Sequence, residues 1–334
     1  MSDFVTLEEI QGAQDRIAGV AVRTPLYRVS RARLRMARLP EPEFDLYIKA
    51  ESEQPIGSFK LRGAYNMVAQ LTPDALKRGV ITYSSGNHAQ GVAYAARALG
   101  SKAVIVMPDN APEIKKIATA ALGAEIVLVG PASSERKLKA EQLAAEFGYT
   151  VIPPYDHPHI IAGQATCGLE IIEQLPAVDL VLSPVSGGGL LSGVATAVKL
   201  ASPHTQVWGA EPELAADAKE SFSTKTLVEW PASKTTRTIG DGLRTQSLGA
   251  LNFEHVLRFV DGIVTVTEDE IFAAMRVMLT VTKLVPEPSG AVTLAAALFH
   301  AAELPKAHKV AVILSGGNLE PALRQKLEAE MVPG

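Results

Sequence analysis

At 334 residues the chain is long enough for two domains and a sizeable core, and 47% hydrophobic against 20% charged residues excludes a disordered polymer. A net charge of −4 excludes the basic footprint of a nucleic-acid or anionic-membrane binder. The single cysteine, Cys167, excludes an intramolecular disulfide framework and a thiolate zinc motif, and it suits a reducing compartment. The first residues, MSDFVTLEEI, are acidic and lack the apolar core of a signal peptide. Arg28, Arg31, Arg33, Arg35 and Arg38 follow as a basic run with no interleaved aromatic residue, which reads as a solvated helix face.

The next stretch, QPIGSFKLRGAYN at 54–66, places a lysine just inside a predicted helix. Ser58 is the expected N-cap, and Lys60, Ala64, Met67, Val68 and Leu71 fall on one face, at the spacing of a buried stripe. A lysine there either snorkels off the helix end or is a desolvated amine with a lowered pKa, a nucleophile for a carbonyl cofactor.

From residue 79 onward, short apolar runs alternate with helical patterns: GVITYSS before AQGVAYAARALG, KAVIVMP before PEIKKIATAALGA, AEIVLVG before ERKLKAEQLAAEFG, and DLVLSPV before LLSGVATAVKLA. QVWGAE and KVAVILS continue the series. This alternation predicts an α/β protein with mostly parallel sheets covered by helices on both faces. The compact block at 76–156 is expected to form a small domain, inserted into a larger one made of 1–75 and 157–334. QATCGLEI reads as helix, with Cys167 packed rather than catalytic. The longest apolar stretch, GAVTLAAALFHAA, is too short to span a bilayer and carries His300, so a cytoplasmic enzyme is expected.

Ligands in such folds gather at the carboxyl ends of strands, and three polar clusters fall there: SSGNH at 84–88, SGGGL at 186–190 and SGGN at 315–318. Gly187, Gly188 and Gly189 open a helix, whose free amides suit a phosphate. A dinucleotide reading fails on the pattern, because Ser192 stands where a third glycine is required, although Glu211 lies near the expected acidic position. Ser84, Ser85, Gly86, Asn87 and His88 could hold a carboxylate, or could simply cap a turn, and His88 reads more readily as a packed histidine. Ser315 could meet a ring nitrogen. One ligand, pyridoxal phosphate, uses all three features with Lys60: an amine for its aldehyde, amides for its phosphate, and a partner for its ring nitrogen.

GSFKLRGAYN, YSSGNHAQGVA, SGGGLLSG, EPSGA and LSGGN, in this order between about residues 5 and 320, resemble the serine/threonine dehydratase and serine racemase family. The resemblance implies the tryptophan-synthase-β-like fold (fold type II), with Lys60 as the Schiff-base lysine and Phe59 packed beside the cofactor. It implies that Ser186, Gly187, Gly188, Gly189 and Leu190 hold the phosphate, Asn87 the phenolic oxygen and Ser315 the ring nitrogen. Glu287 would lie near the cofactor, and Ser84 to His88 would cradle the substrate carboxylate. EPELAAD matches a family metal loop, implying Mg²⁺ or Ca²⁺ on Glu211, Asp217 and the carbonyl of Ala215. The family is commonly dimeric or tetrameric, so a homodimer is expected.

The implied chemistry is β-elimination from a β-hydroxy-α-amino acid such as L-threonine or L-serine. Lys60 takes the Cα proton, the hydroxyl leaves as water, and the released enamine hydrolyses to a 2-oxo acid and ammonia. Three departures border the site: Ser186 where a fourth glycine is usual, ESEQPI before GSFK, and Ala165 in GQATCG. They keep phenylserine, 3-hydroxyaspartate (with Arg136 as a candidate for its distal carboxylate) and racemisation through Ser85 as alternatives. A nicotinamide-dependent oxidoreductase leaves Lys60, Asn87 and Ser315 unexplained, and a non-catalytic sensor would have no need of the lysine. Only residues 319–334 follow Asn318, so isoleucine feedback through an appended regulatory domain is not expected.

Overall fold

The computed structural model describes residues 4–37, 39–111, 113–130 and 133–331. Its strands are β1 (Leu26–Arg28), β2 (Asp45–Ala50), β3 (Val80–Tyr83), β4 (Ala103–Pro108), β5 (Glu125–Val129), β6 (Thr150–Val151), β7 (Leu180–Pro184), β8 (Gln206–Pro212), β9 (Gly262–Val266) and β10 (Lys309–Leu314). They form two sheets, ordered β1-β2-β10-β7-β8-β9 and β5-β4-β3-β6. Every pairing is parallel except the antiparallel edge pair β1–β2.

Burial on both faces explains why these strands are continuous apolar runs. In β7, Leu180 and Leu182 join one core with Leu46, Ile48, Val310, Val312 and helix Pro288–Phe299, while Val181 faces the other way. There it meets Ala311, Ile313 and helices Pro158–Gln174 and Gly189–Ala201. Alternate residues of one strand thus fill two cores. The smaller sheet repeats the scheme, with Val80, Ile105 and Met107 on one side and Ile81, Val104 and Val106 on the other.

The lysine helix runs Lys60–Val68, and Ala64, Met67 and Val68 are buried as their spacing predicts, with Leu71 partly buried beside them. They pack with helix Asn87–Ala98 against the smaller sheet. Gly63 lies against helix Pro158–Gln174, where a Cβ would stand 2.9 Å from the Ile160 carbonyl. The lysine helix is therefore wedged between the two layers. Ser58, however, is not its N-cap: Phe59 occupies that position, and the Ser58 hydroxyl is buried without a hydrogen-bond partner among the described residues. Ser58 instead forms a bridge with Gly316, and Phe59 donates its N–H to the Ser315 carbonyl at 3.0 Å. A long-range strand contact has replaced the local cap.

The basic run lies on and around helix Arg31–Met36, with exposed pairs Arg28–Asp45 and Arg35–Glu41, while Arg33 donates to the Val281 carbonyl at 2.9 Å. Arg38 lies outside the described residues. Cys167 is buried in helix Pro158–Gln174, and desolvation pushes its thiol well up, so the thiolate is disfavoured. Among the described residues, no helix is long and apolar enough to cross a membrane.

Candidate active site

Three strand ends and the lysine meet in space. β2 ends at Ala50, and the chain turns through Glu51–Glu53 and Gly57 (φ 72°) before entering the lysine helix. Lys60 is only half-buried by exposed area, yet protein surrounds its amine closely enough for desolvation to dominate. Its pKa falls to about 8, with Glu287 pulling weakly the other way. The amine donates to the Pro154 carbonyl at 2.8 Å and lies 5.1 Å from the centre of the Phe59 ring.

After β3, residues 84–87 are half-buried, Gly86 donates its N–H to the Ser84 hydroxyl at 3.3 Å, and Asn87 opens the next helix. His88 is buried with Nε2 3.0 Å from the Ile152 carbonyl. Because that carbonyl only accepts, the ring carries its proton on Nε2. Desolvation and the nearby Lys60 lower His88 to about 3, so it stays neutral at physiological pH. Asn87 donates from Nδ2 to Glu287 Oε1 at 2.7 Å and accepts on Oδ1 from Asn318 Nδ2 at 2.7 Å. Glu287 is buried, and desolvation, aided by Asp241, lifts it to about 7. Ser315 is buried at the end of β10, with its carbonyl on Phe59.

The glycine loop follows β7. Gly188 adopts φ 96° and caps helix Gly189–Ala201, leaving its first amides at the loop, and Leu190 is buried in the adjacent core. A Cβ on Gly187 or Gly189 would meet Tyr155 within 3 Å, and one on Gly188 would meet Asn252 at 2.7 Å. Ser186, the departure from the usual fourth glycine, shares a 2.7 Å hydroxyl contact with Thr245. Sequence reasoning missed Pro154, Tyr155, Thr245 and Asn318. Of these only Asn318 carried a signal, as the last letter of LSGGN. Arg136 is half-buried near the start of helix Ser133–Phe147, and desolvation lowers its pKa.

Glu211 lies one residue before the end of β8 and accepts from the Lys219 N–H at 2.6 Å. Asp217 begins helix Asp217–Thr224, and its Oδ2 is buried without a hydrogen-bond partner among the described residues. Burial raises both acids, Glu211 well above the usual range with Asp217 adding to it, and Asp217 to about 7. Ala215 is buried in the turn between them. Among the described residues no group of three or more His, Cys, Asp or Glu could hold a metal ion. The donor set here is two carboxylates and a carbonyl.

A family model described as pyridoxal-phosphate dependent enzyme matches residues 17–316. The chain is a pyridoxal-phosphate-dependent enzyme. It is 40% identical over 315 residues to an L-threo-3-hydroxyaspartate ammonia-lyase of Saccharomyces cerevisiae, covering 94% of each chain. It is 36% identical to a serine racemase of Schizosaccharomyces pombe, covering 96% of this chain and 97% of the other. Among solved structures, a serine racemase from Dictyostelium discoideum superposes with a TM-score of 0.86 at 36% identity, covering 95% of this chain and 99% of that one. The residues of this enzyme fit the cofactor: a lysine whose amine is partly deprotonated near neutrality, a helix N-terminus approached over glycines, and an asparagine with an N–H to spare.

Proposed function

We propose that the enzyme catalyses β-elimination of a β-hydroxy-α-amino acid, with L-threonine or L-serine as the default substrate, giving a 2-oxo acid and ammonia. Its relatives are named threonine and 3-hydroxyaspartate ammonia-lyases, and it belongs to that class. The observation that carries the reading is Lys60, desolvated within reach of the Asn87-bonded Glu287 and next in the chain to Phe59, whose N–H holds the Ser315 carbonyl, with its pKa lowered to about 8. Lys60 would hold the cofactor aldehyde, the amides of Gly187 to Leu190 its phosphate, Asn87 its phenolic oxygen, and Ser315 its ring nitrogen. When bound, pyridoxal phosphate withdraws electrons from the substrate Cα and so eases loss of its proton. Lys60 Nζ is positioned to take that proton, and Ser84 to His88 to hold the carboxylate. His88, kept neutral by burial, serves as a fixed part of that cradle rather than as a base. Measuring keto-acid release from a panel of β-hydroxy amino acids tests the reading: no release from threonine, serine, phenylserine or 3-hydroxyaspartate defeats it.

Ser85 separates elimination from racemisation. A single base works on one face of the planar substrate adduct, and inverting Cα needs a proton donor on the other. Ser85 precedes Gly86 in the half-buried loop, where its hydroxyl can serve as that donor. L-specific elimination is expected to dominate. Ser85→Ala is expected to abolish turnover of D-serine while keeping L-threonine turnover within about tenfold of wild type. Enantiomer exchange at the wild-type rate in the variant would show that another group protonates the second face.

We also infer a divalent cation at Glu211, Asp217 and the Ala215 carbonyl, supported by the unpartnered, buried Asp217 Oδ2. Oxygen donors favour Mg²⁺ or Ca²⁺. A cation present at a hundredfold over its Kd would stabilise the fold by about 2.7 kcal/mol. Chelation is therefore expected to lower the melting temperature by several degrees, reversibly, and Asp217→Ala to remove the response. An unchanged melting curve in both experiments removes the cation.

The strands at 80–151 make one sheet and the remaining strands the other, which supports 76–156 as the small mobile domain and 1–75 with 157–334 as the large one. A cytoplasmic setting rests on the lone, buried Cys167, and a homodimer on the family resemblance; sedimentation measures the latter directly.

A further inference from the structure

Asn318 forms a chain of amides with Asn87, and the donors and acceptors along it can be assigned without ambiguity. The Ile56 carbonyl can only accept, so the Asn318 atom 3.0 Å away must be its nitrogen. The other N–H of that nitrogen points at Asn87, 2.7 Å away, which must therefore present its oxygen. The Asn87 nitrogen is then on the opposite side, where Glu287 Oε1 accepts one of its hydrogens at 2.7 Å. Its second N–H makes no hydrogen bond among the described residues and is left for a ligand. The backbone N–H of Asn318 also favours the ionised Glu287 carboxylate, so one residue acts on the Asn87 oxygen directly and on the acceptor of the Asn87 nitrogen. Gly57 makes room for this arrangement: a Cβ there would stand 2.4 Å from Asn318 Oδ1, at a backbone φ of 72°.

We propose that Asn318 is a positioning residue for the reaction, locking the Asn87 amide so that an N–H, and never the carbonyl oxygen, faces the cofactor. The proposal rests on the reading above that Asn87 meets the phenolic oxygen. That oxygen carries negative charge in the working enzyme, so a donor aimed at it lowers its proton affinity, whereas a flipped amide would raise it. An asparagine alone is indifferent to the flip at low cost, since oxygen and nitrogen have nearly the same shape. The lock has to come from a neighbour whose own orientation is fixed, and Ile56 supplies that through Asn318.

The test uses the full-length loaded enzyme with Asn318→Ala, the isosteric Asn318→Asp, Asn87→Ala, and the Asn87→Ala/Asn318→Ala pair. Three quantities are read: the pH midpoint of the bound cofactor's absorbance change, its dissociation constant by equilibrium dialysis, and urea unfolding of the cofactor-free protein. Both Asn318 variants are expected to weaken cofactor binding by about tenfold, the scale of a lost hydrogen bond to a charged group. They are also expected to raise the absorbance midpoint, in the same sense as Asn87→Ala. In the Asn87→Ala background, Asn318→Ala is expected to add nothing, because a residue acting through another is non-additive with it. An unmoved midpoint, or full additivity in the paired variant, overturns the proposal. So does a midpoint shift that scales with loss of cofactor-free stability, which would mark a merely structural role. A wild-type enzyme without any cofactor band overturns the proposed function and this inference with it; a normal wild-type band with additive variants overturns the inference alone.

Discussion

Lys60→Ala is expected to lower turnover by at least about 10⁴-fold, the upper range for removing a general base, with loss of the covalent anchor adding to it. Borohydride reduction of the loaded wild type should fix the cofactor on the peptide that holds Lys60, and labelling on another lysine would reassign the site. The lowered pKa adds a second, independent readout. At pH 7.5 an amine with a pKa of about 8 is roughly one quarter unprotonated, against about one part in a thousand for an ordinary lysine. Only the unprotonated amine attacks an aldehyde, so cofactor loading of the apo-enzyme should accelerate as pH rises and level off above about 8 to 9. An ordinary lysine would keep accelerating beyond pH 10. The sign follows from desolvation, which penalises the ammonium form.

How much of this site could be read from the chain depends on how far apart its contacts lie. The lysine stripe was legible because Ala64, Met67 and Val68 are spaced along one helix, and a single helix face decides their burial. The three ligand-facing loops were legible because each follows an apolar strand and carries turn-forming residues. Ser58 misled for the opposite reason. Its local context reads as an N-cap, but pairing with Gly316, distant in sequence, sets its backbone, and no local pattern contains that contact. Asn318 reaches Asn87 and Ile56 across separations of 231 and 262 residues, so its donor role became visible only once β2, β3 and β10 had brought the three loops together. Tyr155 sits in no motif, and what makes it matter is that Gly187 and Gly189 have no Cβ to push it away. β2 and β9 were also not singled out, although DLYIKA and GIVTV are apolar runs of ordinary strand length.

Removing Glu170 is expected to cost about 3–5 kcal/mol of folding stability, because it would leave a buried positive charge without its partner. Arg62 is fully buried one half-turn past Lys60 and spans two carboxylates: Nε and Nη2 donate to Glu51 at 2.7 and 2.8 Å, and Nη1 and Nη2 to Glu170 at 2.7 and 2.9 Å. Lys49, also fully buried, donates to Glu170 at 2.5 Å, to the Thr24 carbonyl at 2.7 Å and to Gln174 at 2.9 Å. Two cations and two anions therefore balance, and every strong donor is satisfied, which is the condition under which such a cluster survives in a core. Glu170→Ala breaks the balance with a net positive charge and three N–H groups short of an acceptor. Glu170→Gln keeps the shape but restores neither the charge nor the second acceptor, so it should recover only part of the loss. Arg62→Lys should also be destabilising, since one ammonium cannot serve two carboxylates bidentately. The network ties β2, the turn at Glu51, the lysine helix and helix Pro158–Gln174 to one another, so the same variants should loosen the site before the whole fold melts. Hydrogen exchange at residues 56–62 faster than at the β7 core, in Glu170→Gln at neutral pH, is the expected sign. Uniform exchange across both regions would mean that the cluster stabilises the protein without holding Lys60 in place.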